Sequence, residues 1–396
     1  MDKVVFLLAH ARHARMWRRV NRVRTFFDRA EVLAYERNLE TPAEHGRYES
    51  LGQITNGNYL ARLRRFARAC RLIRRATADA TAVYCFSLDL LALAWIVSLT
   101  MPSQPRLAYE VADIREILAR RGMVPAALRW AERFLIRRSA VVVLTSAHFH
   151  QGYFREVQRF TGFRHVVIEH KPELPESARD QVTTRTDWTR PLTVGYFGIL
   201  KSPASFRLLI RLARESCGAV RVVFRGIFVP PLDAGQCIAE IGETAGARYD
   251  GPYKSPDDLP AVYGGVDMVW DAYNETANSQ WQRTTRFSEA LFFRRPVIVN
   301  PATQDGRLAT QYGVGLCIDL RDEADAVHRI QSITSATYAT WLENFARIPT
   351  SVIRYTNEYA QLRDALLGSH AVRPSSSFKL HDPVCESTSA PLDRAV

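Results

Sequence analysis

The sequence predicts an α/β protein made of two doubly wound parallel sheets that face each other across a cleft. Three observations carry this. The chain has 396 residues, enough for two domains of ordinary size. Short, fully apolar, β-rich runs alternate with longer helical patterns, as in parallel sheets covered on both faces. One polar stretch, 173–190, interrupts the alternation near mid-chain, after which it restarts.

In the first half, strands are expected at Val4–Leu8, Ala30–Tyr35, Ala82–Phe86, Arg106–Val111, Ala140–Thr145 and His165–Ile168. Helices are expected at Met16–Phe27, Leu60–Arg75, from Asp89 onward and at Ala126–Arg138. In the second half the expected strands are Leu192–Phe197, Val220–Arg225, Val266–Asp271, Pro296–Val299 and Gly315–Ile318. Helices are expected there at Ala204–Glu215, Ala234–Thr244, Thr285–Phe293 and Ala324–Thr334. The expected organisation is therefore 1–172, a linker over 173–190, 191–368, and a Ser- and Pro-rich tail over 369–396 without periodicity.

Hydrophobic residues make up 47% and charged residues 24%, which excludes a disordered or fibrous chain. Six cysteines without CxxC spacing argue against a zinc site or a disulfide scaffold and fit a reducing compartment. Val4–Ala9 is too short for the core of a signal peptide, and Ser87 and Asp89 break the longest apolar run, Ala82–Met101. A cytoplasmic protein is expected. Of the net charge of +12, residues 1–76 hold +10, so the partner of that region is anionic. Arg62, Arg64, Arg65, Arg68, Arg71, Arg74 and Arg75 lie on one helical stretch with no acid between them, beside an apolar stripe of Leu63, Phe66, Cys70 and Ile73. Either this helix lies on an anionic bilayer through Arg64, Arg68 and Arg71, or it covers the sheet with a solvated arginine face. Nucleic acid is not expected, since no reader motif is present.

Ligands in such sheets bind beyond the carboxyl ends of the strands. The segment Asn278–Val299 follows one of them, and Arg283, Arg286 and Glu289 stand about a turn apart. The two arginines at a helix start suit an anion and Glu289 suits a ribose diol, although a surface Arg–Glu pair has the same spacing. Gly198 and Lys201 follow another strand and could meet a phosphate, or form a plain strand-to-helix turn. Asp113, after the strand ending at Val111, suits proton transfer from a hydroxyl, or an N-cap. Neither GxGxxG, a Walker loop, HExxH nor GxSxG occurs, which removes support for a dinucleotide enzyme, a P-loop enzyme, a zinc protease and a serine hydrolase.

On Tyr109–Asp113, Val141–Ser146, Val194–Lys201 and above all Asn278–Asn300, with its Glu289-Ala290-Leu291…Pro296-Val297-Ile298-Val299, the chain resembles family 4-like GT-B glycosyltransferases of bacterial exopolysaccharide biosynthesis over about residues 1–365. The resemblance implies two Rossmann-like halves with the nucleotide sugar on the second. It puts Glu289 on the donor ribose, Gly198 and Lys201 at the diphosphate with Arg225 or Arg286 assisting, Tyr253 beside the base, and Asp113 on the acceptor side. It further implies transfer of a hexose without a metal cofactor, to a saccharide acceptor that is lipid-linked at the inner face of the membrane. Retention follows the family, while inversion with Asp113 as base stays open. One departure stands out. The family carries Glu-x7-Glu, but eight residues before Glu289 stands Trp281, and Glu275 lies fourteen before it. A non-catalytic sugar-nucleotide-binding or assembly protein and a GT-B epimerase are therefore alternatives on the same fold.

Overall fold

The computed structural model describes residues 1–36, 46–53, 59–185, 189–274, 276 and 278–368, with the backbone alone for 59–66. The expected tail and Glu275 lie outside the described residues.

Among the described residues, seven parallel strands form the first sheet: β1 (Lys3–Leu8), β2 (Arg29–Glu36), β3 (Glu49–Gln53), β4 (Ala82–Cys85), β5 (Arg106–Val111), β6 (Val141–Leu144) and β7 (His165–Val167). Their order is β3-β2-β1-β4-β5-β6-β7. Every residue of β1 is buried. Alternate side chains feed two cores, with Val5 and Leu7 on one face and Val4, Phe6 and Leu8 on the other. Six parallel strands form the second sheet: β8 (Leu192–Leu200), β9 (Val220–Phe228), β10 (Ala247–Tyr249), β11 (Met268–Trp270), β12 (Val297–Val299) and β13 (Gly315–Cys317). Their order is β10-β9-β8-β11-β12-β13. The winding reverses direction beside β1/β4 and beside β8/β11, the crevices where such sheets hold ligands.

Two boundaries differ from the sequence expectation. The stretch 173–190 is more than a solvated linker. It contains a helix, Glu176–Asp180, and Arg185 is buried against Asp267 at 2.9 Å. Asp267 also takes Arg190 at 2.7 Å and the Thr193 amide at 2.8 Å, so polar composition here serves a buried network. The unit drawn through 368 also ends too late. The helix Glu358–Leu367 returns to the first sheet, where Tyr359, Leu362, Ala365 and Leu366 join Val4, Phe6, Ala108 and Val141 in one core.

That return is fixed by a buried ion pair. The Arg19 guanidinium donates to Glu110 at 3.0 Å, to the Tyr359 hydroxyl at 2.9 Å and to the Ile168 carbonyl at 2.7 Å. The Tyr84 hydroxyl donates to the same Glu110 carboxylate at 2.5 Å. Removing one member leaves a buried charge unpaired, at about 3–5 kcal/mol. Glu110→Ala is therefore expected to lower the urea midpoint strongly and to make the last helix susceptible to proteolysis first. An unchanged midpoint would contradict the assignment.

The helix Tyr59–Thr77 covers the same sheet. Ala69, Ile73 and Ala76 are buried in the first core, and Cys70 packs against it. Over this described part the apolar stripe is core, which corrects the bilayer-facing expectation there. Arg68, Arg71 and Arg74 are exposed, and Arg75 grips Glu49 at 2.7 Å. The side chain of Arg64 lies outside the described residues.

Candidate active site

The floor of the cleft is built where β8 and β11 end. Ser202 caps the helix Pro203–Glu215 by accepting from the Ser205 amide, and Thr284 caps the helix Thr285–Phe292 by accepting from the Phe287 amide. Both helices therefore start at the strand ends, with their positive poles toward the cleft.

Arg286, in the first turn of the second helix, is held rigidly. Its Nε donates to the Phe197 carbonyl at 2.8 Å and its Nη1 to the Trp270 carbonyl at 3.1 Å and to Asp271 at 3.3 Å. The guanidinium stacks 4.8 Å over Tyr196. Its Nη2 lies 4.0 Å from the place a Cβ on Gly198 would take, and the Tyr253 hydroxyl lies 3.7 Å from it. Gly198 has φ +88 and faces Gly226 across the strands, where a Cβ would sit 1.9 Å from the Gly198 carbonyl oxygen. Both positions need glycine, and the backbone there stays open to a ligand.

Glu289, one turn further along the helix, is buried. Tyr263 donates to one of its oxygens at 2.8 Å. Burial raises its pKa, while Arg18 from the opposite half, Tyr263 and Arg286 pull it back. Arg225, on β9, lies 5.9 Å from the Tyr253 ring, and its Nε is enclosed without an acceptor. Burial raises the Tyr253 phenol, and the neighbouring Glu289 adds to that. Lys201 is exposed just past β8. Gly198, Arg225, Tyr253, Arg286 and Glu289 thus converge, with Lys201 at the rim.

Arg283 does not join them. It is buried, donates to Glu169 at 2.5 Å and to the Val352 carbonyl at 2.9 Å, and ties the segment to the first half. Standing before the cap Thr284, it is outside the helix, so the one-turn spacing does not apply, and its assignment to the donor is corrected.

Across the cleft, Asp113 is half exposed. It pairs with Arg15 at 3.2 Å and accepts from Asn278 Nδ2 at 3.1 Å. It is not a helix cap, because the residue preceding the helix Glu116–Ala119 is Arg115. Sequence reasoning missed Arg18, which is exposed beside a cavity of about 330 Å³ between the helix Ala14–Val23 and residues 170–174. Its signal was the four-residue repeat of Arg15, Arg18, Arg19 and Arg22 on one helix face. His13 and His170 stand nearby. Burial and the arginines push His13 down to about 4 and His170 well down, so both are neutral at pH 7.

Trp281 explains the departure from Glu-x7-Glu. Its indole packs against the first core, where Gly152 leaves it room: a Cβ there would lie 2.0 Å from the indole nitrogen. Its carbonyl accepts from Ser146 Oγ at 2.5 Å. This position docks the two halves and offers no carboxylate to a sugar.

Behind the floor, Asp271 and Asp305 are fully buried together. Asp271 accepts from the Thr284 hydroxyl at 3.0 Å, and Asp305 accepts from Tyr273 and from the Thr284 amide at 3.0 Å. The second oxygen of Asp305 has no donor, unless one carboxyl keeps its proton. Burial and then mutual repulsion raise Asp271, and burial raises Asp305 to about 6. The folded protein therefore holds a proton that an unfolded Asp, at 3.8, releases. The stability contributed by the raised Asp305 is greatest in acid and is lost as pH rises through about 6. Asp305→Asn is expected to flatten that fall in melting temperature between about pH 4 and pH 6. An unchanged slope would show that the pair holds no shared proton.

No family model matches the chain. It is 25% identical over 313 residues, 75% of each chain, to the succinoglycan biosynthesis protein ExoL of Rhizobium meliloti. Its fold matches that of HepE from Anabaena, solved with UDP and glucose, at a TM-score of 0.64 and 17% identity, covering 92% of this chain and 99% of that one. It also matches the lipopolysaccharide outer core galactosyltransferase WaaB, at a TM-score of 0.60 and 11% identity over 92% and 99%. The sucrose-phosphate synthase of Thermosynechococcus elongatus matches at 0.64 and 12% over 91% and 97%. These likenesses show that the chain has the GT-B fold.

Proposed function

We propose that this protein transfers a hexose from a nucleoside-diphosphate sugar to a lipid-linked saccharide in extracellular polysaccharide assembly. One observation carries the reading. Arg286 is bolted to the ends of β8 and β11 beside a buried Glu289, under a glycine-lined floor, opposite Arg18 and Asp113. Arg286, Arg225 and Lys201, with the two helix starts, neutralise the leaving diphosphate without a metal. Glu289 accepts from the ribose hydroxyls, with Tyr263 fixing its orientation. Asp113 positions the acceptor hydroxyl, and closure of the cleft excludes water. Retention of anomeric configuration is the course the family resemblance supports. HepE is solved with UDP-glucose, which makes that compound the first probe.

Three outcomes follow. Glu289→Ala should abolish UDP-glucose binding in calorimetry and turnover in a UDP-release assay while leaving the circular dichroism unchanged. Survival of both activities would refute the donor site. Asp113→Asn should lower turnover by about 10²–10⁴-fold with donor affinity kept. Chelator should leave turnover intact.

The position of Trp281 favours a second reading, a non-catalytic sugar-nucleotide binder. In that case UDP-glucose binds but no UDP is released with any saccharide acceptor.

A further inference from the structure

Seven of the ten large apolar side chains that stand exposed among the described residues fall between Ile96 and Trp130. Four of them lie on the helix Met123–Ile136, where Met123 is 90%, Val124 63% and Trp130 62% exposed. Between Arg121 and Arg129 the chain carries no charge. Gly122, at φ +134, turns the backbone so that Met123 and Val124 head the helix as an apolar knuckle.

The knuckle is supported rigidly. Trp130 stacks on Phe134 at 5.7 Å, Phe134 meets Trp95 edge-on at 5.0 Å, and the Arg138 guanidinium sits 3.4 Å over the Phe134 ring. Arg129 donates to the Leu118 and Arg120 carbonyls at 2.9 and 2.8 Å, which joins this helix to Glu116–Ala119 and so to the loop carrying Asp113. The charge around it is mainly positive, with the exposed Glu116 paired to Arg120 at 2.8 Å. Residues 115–138 hold seven arginines against Glu116 and Glu132, and Glu132 is buried.

We propose that this knuckle, rather than the helix Tyr59–Thr77, is where the protein rests on an anionic bilayer. Met123, Val124 and Trp130 enter the headgroup boundary, and Arg120 and Arg121 meet the lipid phosphates. A shallow apolar tip ringed by arginines fits an anionic lipid surface by charge and by depth. The other helix spends its described apolar residues on the core. Docking in this way turns the Asp113 side of the cleft toward the membrane. The inference does not depend on catalysis, because vesicle binding is read without substrate.

The test uses the full chain and vesicles of phosphatidylcholine with about one third phosphatidylglycerol. Wild-type protein should co-sediment at low salt and release as salt shortens the Debye length to ~3 Å at 1 M. The exposed pair M123Q with V124Q should weaken binding about tenfold, with the circular dichroism spectrum unchanged. Charge reversal at Arg120 and Arg121 should weaken it more than charge reversal at Arg68 and Arg71. The proposal is overturned if wild type ignores anionic vesicles at low salt, or if M123Q with V124Q binds as wild type does. It is also overturned if the Arg68 and Arg71 reversal has the larger effect. A dimer in sedimentation velocity that M123Q with V124Q dissociates, without vesicle binding, would assign the knuckle to a second copy of this chain and likewise overturn it.

Discussion

Six residues, 278–283, decide whether two separately folded sheets make one site. Asn278 accepts from the Ile114 amide and donates to Asp113, the Trp281 carbonyl takes the Ser146 hydroxyl, and Arg283 pairs with Glu169. On the other side, the Gln304 amide donates to the Ser279 carbonyl, and Thr284, the next residue, is held by Asp271 and Asp305. The segment therefore belongs to the second half and grips the first. A buried pair such as Arg283–Glu169 adds little net stability, because desolvation offsets its attraction, but breaking it costs much. Its effect is to fix geometry: it sets how far Asp113 stands from the floor made by Gly198, Arg286 and Glu289.

The electrostatics follow from that closure. Arg15 and Arg18 face the cleft from the first half, and Arg225 and Arg286 from the second. Glu289 is buried within this field, and its pKa reflects a contest between burial and arginines from both halves. The neutral histidines His13 and His170 add no further positive charge. An anionic ligand seated between the halves would meet cations from both, so binding and closure reinforce one another.

Most strands were legible, because a strand buried on both faces must be apolar throughout, as β1 is. The edge strands β3 and β10 were not. Glu49–Gln53 and Ala247–Tyr249 are short and only partly buried, and they carry no such pattern. Arg286, Glu289 and Gly198 were legible because a strand end followed by a helix start confines what can sit there. Arg283 was misplaced because the helix begins after Thr284, a boundary that only the cap geometry reveals. The sequence marks Trp281 as a departure, but its docking against Gly152 depends on a contact between residues far apart in the chain. The ion pair of Arg19 and Glu110 and the buried neighbours Asp271 and Asp305 were hidden for the same reason. Hydrophobic periodicity reports faces, whereas these pairings need the finished packing.

The helix Glu358–Leu367 has a consequence for how the chain is made. Its Tyr359, Leu362 and Leu366 complete a core whose other members begin at Val4. A ribosome delivers the amino-terminal half first, so β5, β6 and β7 emerge before the helix that covers part of one face of theirs, and that layer follows only after the second sheet. Arg19 and Glu110 can meet during that wait, but the Tyr359 hydroxyl that caps their network arrives only near the end. The first sheet therefore precedes the second in the chain but is completed after it, and the nascent chain carries part of an apolar face open while the second half is made.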